Sequence, residues 1–220
     1  MLPEPDASGM LRAHAPLDRV LDDGLSVRLR PIVPDDRERI LRAYDLLSEE
    51  SRLNRFWERP ARLSENNAAR LANADGADHL SWIALDPGDE AFPGFGGASY
   101  WRDPDHPSRA ELSFTIADAW QRRGLATLLY SILWFEGWKN GVRHFTGECR
   151  KSNLAMVGWW TEMGGRTKEG NRHIDLDLPL EDPDFFLERI AYEARPSYRR
   201  IEVASWLRDW RGMAGGGNQQ

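Results

Sequence analysis

The segment Trp120-Gln121-Arg122-Arg123-Gly124-Leu125-Ala126-Thr127 lies between a run of alternating residues and the strongest helical pattern in the chain. A helix N-terminus carries amide N–H groups with no partner inside the helix, together with the positive end of the helix dipole. A pyrophosphate fits such a place. Gly124 has no Cβ and lets phosphate oxygens approach the backbone. Ala126 is the smallest side chain that still favours helix, and Arg122 and Arg123 add positive charge. The same residues also read as a capped helix after a basic loop. The pattern Gln/Arg-x-x-Gly-x-Gly/Ala is short, so the surrounding elements decide between the two.

Leu125, Leu128, Leu129 and Ile132 recur at helical offsets and predict a helix over 124–139, ended by Gly141. Ala110 to Ile116 predicts a strand before it. Val142 to Arg150 predicts a strand after it, followed by a helix from Asn153 to Met163. A strand-helix-strand unit makes a parallel pair through a right-handed crossover. Upstream, Ser26 to Ile32 alternates as a strand, Pro34-Asp35-Asp36 opens a helix, and Ser64-Glu65 opens another that runs to Asn73. His79 to Leu85 and Gly94 to Trp101 read as strands separated by turn chemistry, and His173 to Leu178 closes the series. The order is β-α-α-β-β-β-α-β-α-β. The expected fold is α/β (α+β): a mixed, mostly antiparallel sheet with one parallel pair, flanked by helices. Residues 1–23 read as a loose arm, 24–180 as the domain, 181–212 as a helical extension and 213–220 as a disordered tail. Within the extension a helix is expected over Asp184 to Glu193. Val203, Trp206, Leu207 and Trp210 form an apolar stripe, which packs on its own chain or makes a homodimer surface.

A length of 220 residues suits one domain with a core large enough to need no disulfide. The 29 basic and 35 acidic residues leave a net charge of −6, which argues against nucleic-acid binding and tolerates an amine as partner. The lone cysteine, Cys149, rules out an internal disulfide and a four-cysteine zinc site, and no metal is expected. The first residues lack the pattern of a signal peptide and no apolar run is long enough to span a membrane, so a cytoplasmic location is the default expectation.

The stretch from Ala110 to Ala126 resembles motif A of the GNAT acyltransferases, and the resemblance in element order extends over residues 25–180. Gly147-Glu148-Cys149-Arg150 with Asn153 and Met156, and Leu47-Ser48-Glu49-Glu50-Ser51-Arg52 followed by Arg55-Phe56, resemble the bacterial protein-lysine acetyltransferase branch. The resemblance implies an acetyl-CoA site in a gap where the strand ending at Ile116 splays from the strand starting at Val142. Pantetheine amides would pair with backbone around Phe114, Thr115 and Ile116. The pyrophosphate would meet the segment Gln121, Arg122, Arg123, Gly124, Leu125, Ala126 and Thr127, and Asn153 would touch the coenzyme. The loop at Ser51 to Trp57 would lie near the acceptor; it reads equally as a helix end packed by Phe56 and Trp57.

The implied reaction is direct attack of a primary amine on the thioester. A lysine-like ammonium, with a pKa of about 10.4, must lose a proton first, and the oxyanion needs a fixed donor such as a backbone N–H near Ile116. Glu111 shares a strand face with Ser113 and Thr115, and the resemblance puts a catalytic glutamate there. Glu148 is the second candidate base. Both carboxylates also read as structural, His144 reads as a structural strand histidine, and Cys149 as a core thiol. Many relatives carry a tyrosine acid in the helix after Asn153; Trp160 matches that position, and an indole N–H is no acid at neutral pH. Three functions stay open: acylation of a protein lysine, acylation of a small amine, and non-catalytic acyl-CoA binding. A pure interaction domain is the fourth reading.

Overall fold

The computed structural model describes residues 16–57 and 62–185. The helix expected over 184–193 beyond Phe185, the apolar stripe at 203–210, the 213–220 tail and most of the 1–23 arm lie outside the described residues.

Eight strands form one sheet in the order β1-β2-β3-β4-β5-β6-β8-β7. They are β1 (Leu17–Val20), β2 (Ser26–Pro31), β3 (His79–Leu85), β4 (Gly96–Arg102), β5 (Arg109–Ile116), β6 (His144–Arg150), β7 (Arg166–Glu169) and β8 (His173–Pro179). Every neighbouring pair is antiparallel except β5 and β6. The helices are α1 (Arg37–Asp45), α2 (Glu49–Phe56), α3 (Glu65–Ala72), α4 (Leu125–Lys139) and α5 (Leu154–Glu162).

Two strands and one helix were not legible in the sequence. Leu17–Val20 falls inside the segment read as a loose arm, yet it pairs with β2 at the sheet edge, with Leu17 fully buried. Four residues give too little alternation to announce a strand. Exposed Arg166–Glu169 carries no apolar face and is held by its ladder to β8, with an ion pair from Lys151 to Glu169. Helix α2 follows Ser48, whose hydroxyl accepts from the Ser51 amide and so starts a new helix where α1 had ended.

Strand parity divides the core. Ala110 and Leu112 of β5 and Phe145 and Cys149 of β6 face α4, which buries Leu125, Leu129, Ile132 and Leu133 against them. Burial of each such side chain stabilises the fold by about 1.5–3 kcal/mol. Ser113 and Thr115 face the other way, toward α2. There α1 and α3 build a smaller core from Tyr44, Leu47, Leu63 and Ala68.

Candidate active site

Strands β5 and β6 are in register for only three pairs, Arg109 with His144, Ala110 with Phe145 and Glu111 with Thr146. Beyond Glu111 the two strands part. Strand β5 continues paired to β4 as far as Ile116, and β6 continues paired to β8 as far as Arg150. A gap therefore opens in the middle of the sheet, floored by residues that keep their other neighbour.

The parity of β5 decides what lines that gap. The Thr115 carbonyl is turned to β4, 2.5 Å from where a Cβ on Gly96 would stand, which is why only glycine fits there. The Leu112 carbonyl is turned to β6, 3.4 Å from the corresponding point on Gly147. By the two-residue period, Phe114 and Ile116 present their backbone groups to the gap. Thr115 does not: its backbone serves β4 and its hydroxyl accepts from Arg55. Of the three β5 positions expected at the coenzyme, the structure brings two to the opening.

The loop ahead of α4 stands at the gap's end. Arg122 has φ 61° and Gly124 φ 90°, both left-handed. Alternating hands turn successive N–H groups to one side, an anion-binding concavity. No side chain caps α4, and no acidic residue lies in its first turn. A Cβ at Gly124 would meet nothing within 4 Å, so the space before these amides is open and glycine is required for its φ alone. This suits the phosphate of a coenzyme. Leu125 and Thr127 turn their side chains into the core and can offer only backbone.

Two residues of the basic loop do other work. Arg123 is ion-paired with Asp23 and lies 4.8 Å over the Trp120 ring, so its charge is already partnered. Gln121 donates to Ser51 Oγ at 3.2 Å and to the Ile116 carbonyl at 3.1 Å, which makes it a staple across the loop. Asp118 completes the staple by accepting from the Ser48 amide (2.9 Å), Ser48 Oγ (2.7 Å) and Ser51 Oγ (2.9 Å). Burial would raise the Asp118 pKa, but these donors outweigh it and hold it below the ordinary carboxylate range. Sequence reasoning missed Asp118; the acidic residue three positions before Gln121 was the available signal.

Helix α5 supplies the other wall. Asn153 caps it, its Oδ1 accepting from the Met156 amide at 3.2 Å, so the cap bond uses the side-chain oxygen and not the amide nitrogen. Trp159 donates to Thr127 Oγ1 at 3.0 Å and meets Phe114 edge-on at 4.9 Å, tying α5 to α4 and β5. Trp160 is 1% exposed. The far edge of its ring, Cη2, lies over Gly147 at the root of the gap. Its ring nitrogen is at the opposite end beside Gly165 and has no hydrogen-bond partner. The position matched to a tyrosine acid therefore holds a wedge whose N–H points away from the gap.

Glu111 and Glu148 are exposed and stand on the α2-facing side of the sheet. Glu148 lies opposite Asp175, and its carboxylate, the Asp175 carboxylate and the His173 ring all fall within 4.8 Å of one another. His173 Nε2 is already 2.9 Å from Asp175. His144 is 3.2 Å from Asp177, which also accepts from Arg109 at 3.0 Å, so it belongs to an ion-pair cluster. Cys149 is buried, and burial raises its thiol pKa, away from reactivity.

A GNAT acetyltransferase domain model matches residues 26–166, and the chain belongs to that family. Among its relatives is acetyltransferase Pat of Mycolicibacterium smegmatis, 27% identical over 178 residues that cover 79% of this chain; the chain spans about half (52%) of that relative's length. The GNAT domain of S. lividans PAT superposes with a TM-score of 0.70 at 29% identity, over 76% of this chain and 98% of that one. The Salmonella typhimurium acetyltransferase yncA, solved with its cofactor acetyl-CoA, shares the fold at a TM-score of 0.56 and 17% identity, over 78% and 98% of the two chains. Among the described residues no helix is long and apolar enough to cross a membrane.

Proposed function

We propose that this chain moves an acetyl or short acyl group from acyl-CoA to a primary amine by direct attack. The observation that carries the reading is the parting of β5 from β6 just past Glu111, in line with the uncapped amides of α4. The backbone of Phe114 and Ile116 would hold the pantetheine arm, and the Ile116 N–H would meet the developing oxyanion. The amides from Arg122 to Thr127 would hold the pyrophosphate, with Arg122, which has no ion pair among the described residues, as the loop's cation and Asn153 alongside.

Glu111 is the general base of this proposal, because it closes the paired part of β5 and so stands where the gap begins. Glu148 is one strand away on the same face and is the alternative base. The thiolate leaves without help from Trp160 and takes its proton from solvent. A protein lysine is the preferred acceptor. The exposed carboxylates of Glu111 and Glu148 suit a cationic partner, and the Pat and PAT relatives point the same way. A small amine is the second reading.

Thiol release from acetyl-CoA, followed with a lysine peptide and with polyamines, tests the proposal. Glu111→Gln should lower kcat by roughly a hundredfold or more while coenzyme affinity stays unchanged. Unchanged turnover in that variant with every acceptor would move the role to Glu148, and coenzyme binding without thiol release would leave a non-catalytic acyl-CoA module.

A further inference from the structure

A cavity of about 80 Å³ lies between the α1–α3 layer and strands β3 to β5. Its walls are apolar, from Ile40, Tyr44, Phe56, Ile83 and Phe95 among others. One charged side chain lines it, Arg55. Arg55 Nη2 donates to Ser113 Oγ at 3.0 Å and Nε to Thr115 Oγ1 at 3.2 Å. Those neutral hydroxyls fix the guanidinium plane without neutralising it. Among the described residues no carboxylate forms an ion pair with Arg55. Burial lowers its pKa, Glu111 opposes that only through space, and Arg70 adds a second positive charge in range.

A partly buried cation costs free energy unless an anion meets it. The bonds to β5 leave both Nη1 hydrogens of Arg55 and one on Nη2, a fork that matches a carboxylate. Ser113 and Thr115 belong to the stretch of β5 that has lost β6, so the cavity and the gap share one strand as a wall. Apolar walls, small volume and one guanidinium describe a short carbon chain ending in a carboxylate.

We infer that the cavity beneath α2 binds the carboxylate end of a short aliphatic ligand through Arg55. The inference rests on the acyl-transfer reading and narrows it. The carboxylate comes either from the acyl group, as in a dicarboxylic mono-thioester, or from an amino-acid acceptor.

Calorimetric titration of the full chain with coenzyme A, succinyl-CoA and 4-methylpentanoyl-CoA, its neutral near-isostere, tests the first source. Acetyl transfer to leucine and 4-aminobutyrate, each against its amide, tests the second. The charged form should be favoured by about tenfold or more on one arm, as befits a hydrogen bond to a charged group. Arg55→Met should bring that ratio close to one. Arg55→Lys, which keeps the charge but loses the fork, should retain only part of it; it serves equally if the methionine variant does not fold. Wild type binding coenzyme A but showing no preference on either arm overturns the inference alone, as does a preference that survives both substitutions. Failure to bind coenzyme A at all removes the acyl-transfer reading as well.

Discussion

Single residues here are constrained by backbone as much as by chemistry. Gly124 occupies a left-handed conformation with open space around it, so a side chain there strains the chain without clashing. Gly124→Val should cost about 1–2 kcal/mol in denaturant unfolding and should weaken coenzyme binding further, because the amides ahead of α4 lose their alignment. Trp160 offers a sharper test. Its N–H faces Gly165 and its ring fills the root of the gap. Trp160→Tyr should therefore destabilise the fold and not raise kcat, whereas a gain in turnover would mean that the position reaches the leaving thiolate. The residue types of the motif were readable from the chain alone. Which of them are taken up by partners in the fold was not, because Gln121 and Arg123 find theirs at Ser51 and Asp23, which lie far away in sequence.

Elements position the site through two connections. The first is α4, hydrophobic on almost every side because the sheet covers one face and α5 with the segment at Glu181 covers the others. Leu129→Ala should cost about 2–5 kcal/mol, seen as a lower unfolding midpoint, with site chemistry intact in the remaining folded protein. The second is the start of α2, clamped to Asp118 through Ser48 and Ser51. Asp118→Ala should free both α2 and Gln121. The expected result is a several-fold rise in the KM for acetyl-CoA together with a loss of acceptor affinity, since one clamp serves both sides of the sheet. A change in only one of these would separate the loop from the helix.

At the scale of the whole molecule, acid should unfold the protein partly through Asp36. This carboxylate is 4% exposed and accepts from Arg30 at 2.6 and 2.7 Å and from the Val33 amide at 2.9 Å. Burial alone would raise its pKa, but the Arg30 bonds, the amide and the charge of Arg39 win and lower it. A depressed folded pKa means stabilisation that is complete above the unfolded value, about 3.9, and is lost as pH falls through the folded one. Unfolding midpoints taken between pH 7 and pH 3 should show Asp36→Asn less stable at neutral pH and converging on wild type below about pH 4. A constant difference across the range would assign the effect to packing instead of charge.

The periodicity at 125–139, the strand signal at 79–85 and the alternation at 110–116 determined the central elements, because their spacing is set by residues within a turn or two of each other. The helix start at Gly124 was likewise local. The short strands β1 and β7 were not, since each is defined by a ladder to a neighbour distant from any local pattern. Tertiary structure alone decided that β5 and β6 part after Glu111, that Thr115 turns from the gap, and that Arg55 reaches two hydroxyls some sixty positions ahead. Register and the filling of space depend on chain segments meeting in three dimensions, and no short window of sequence contains that information.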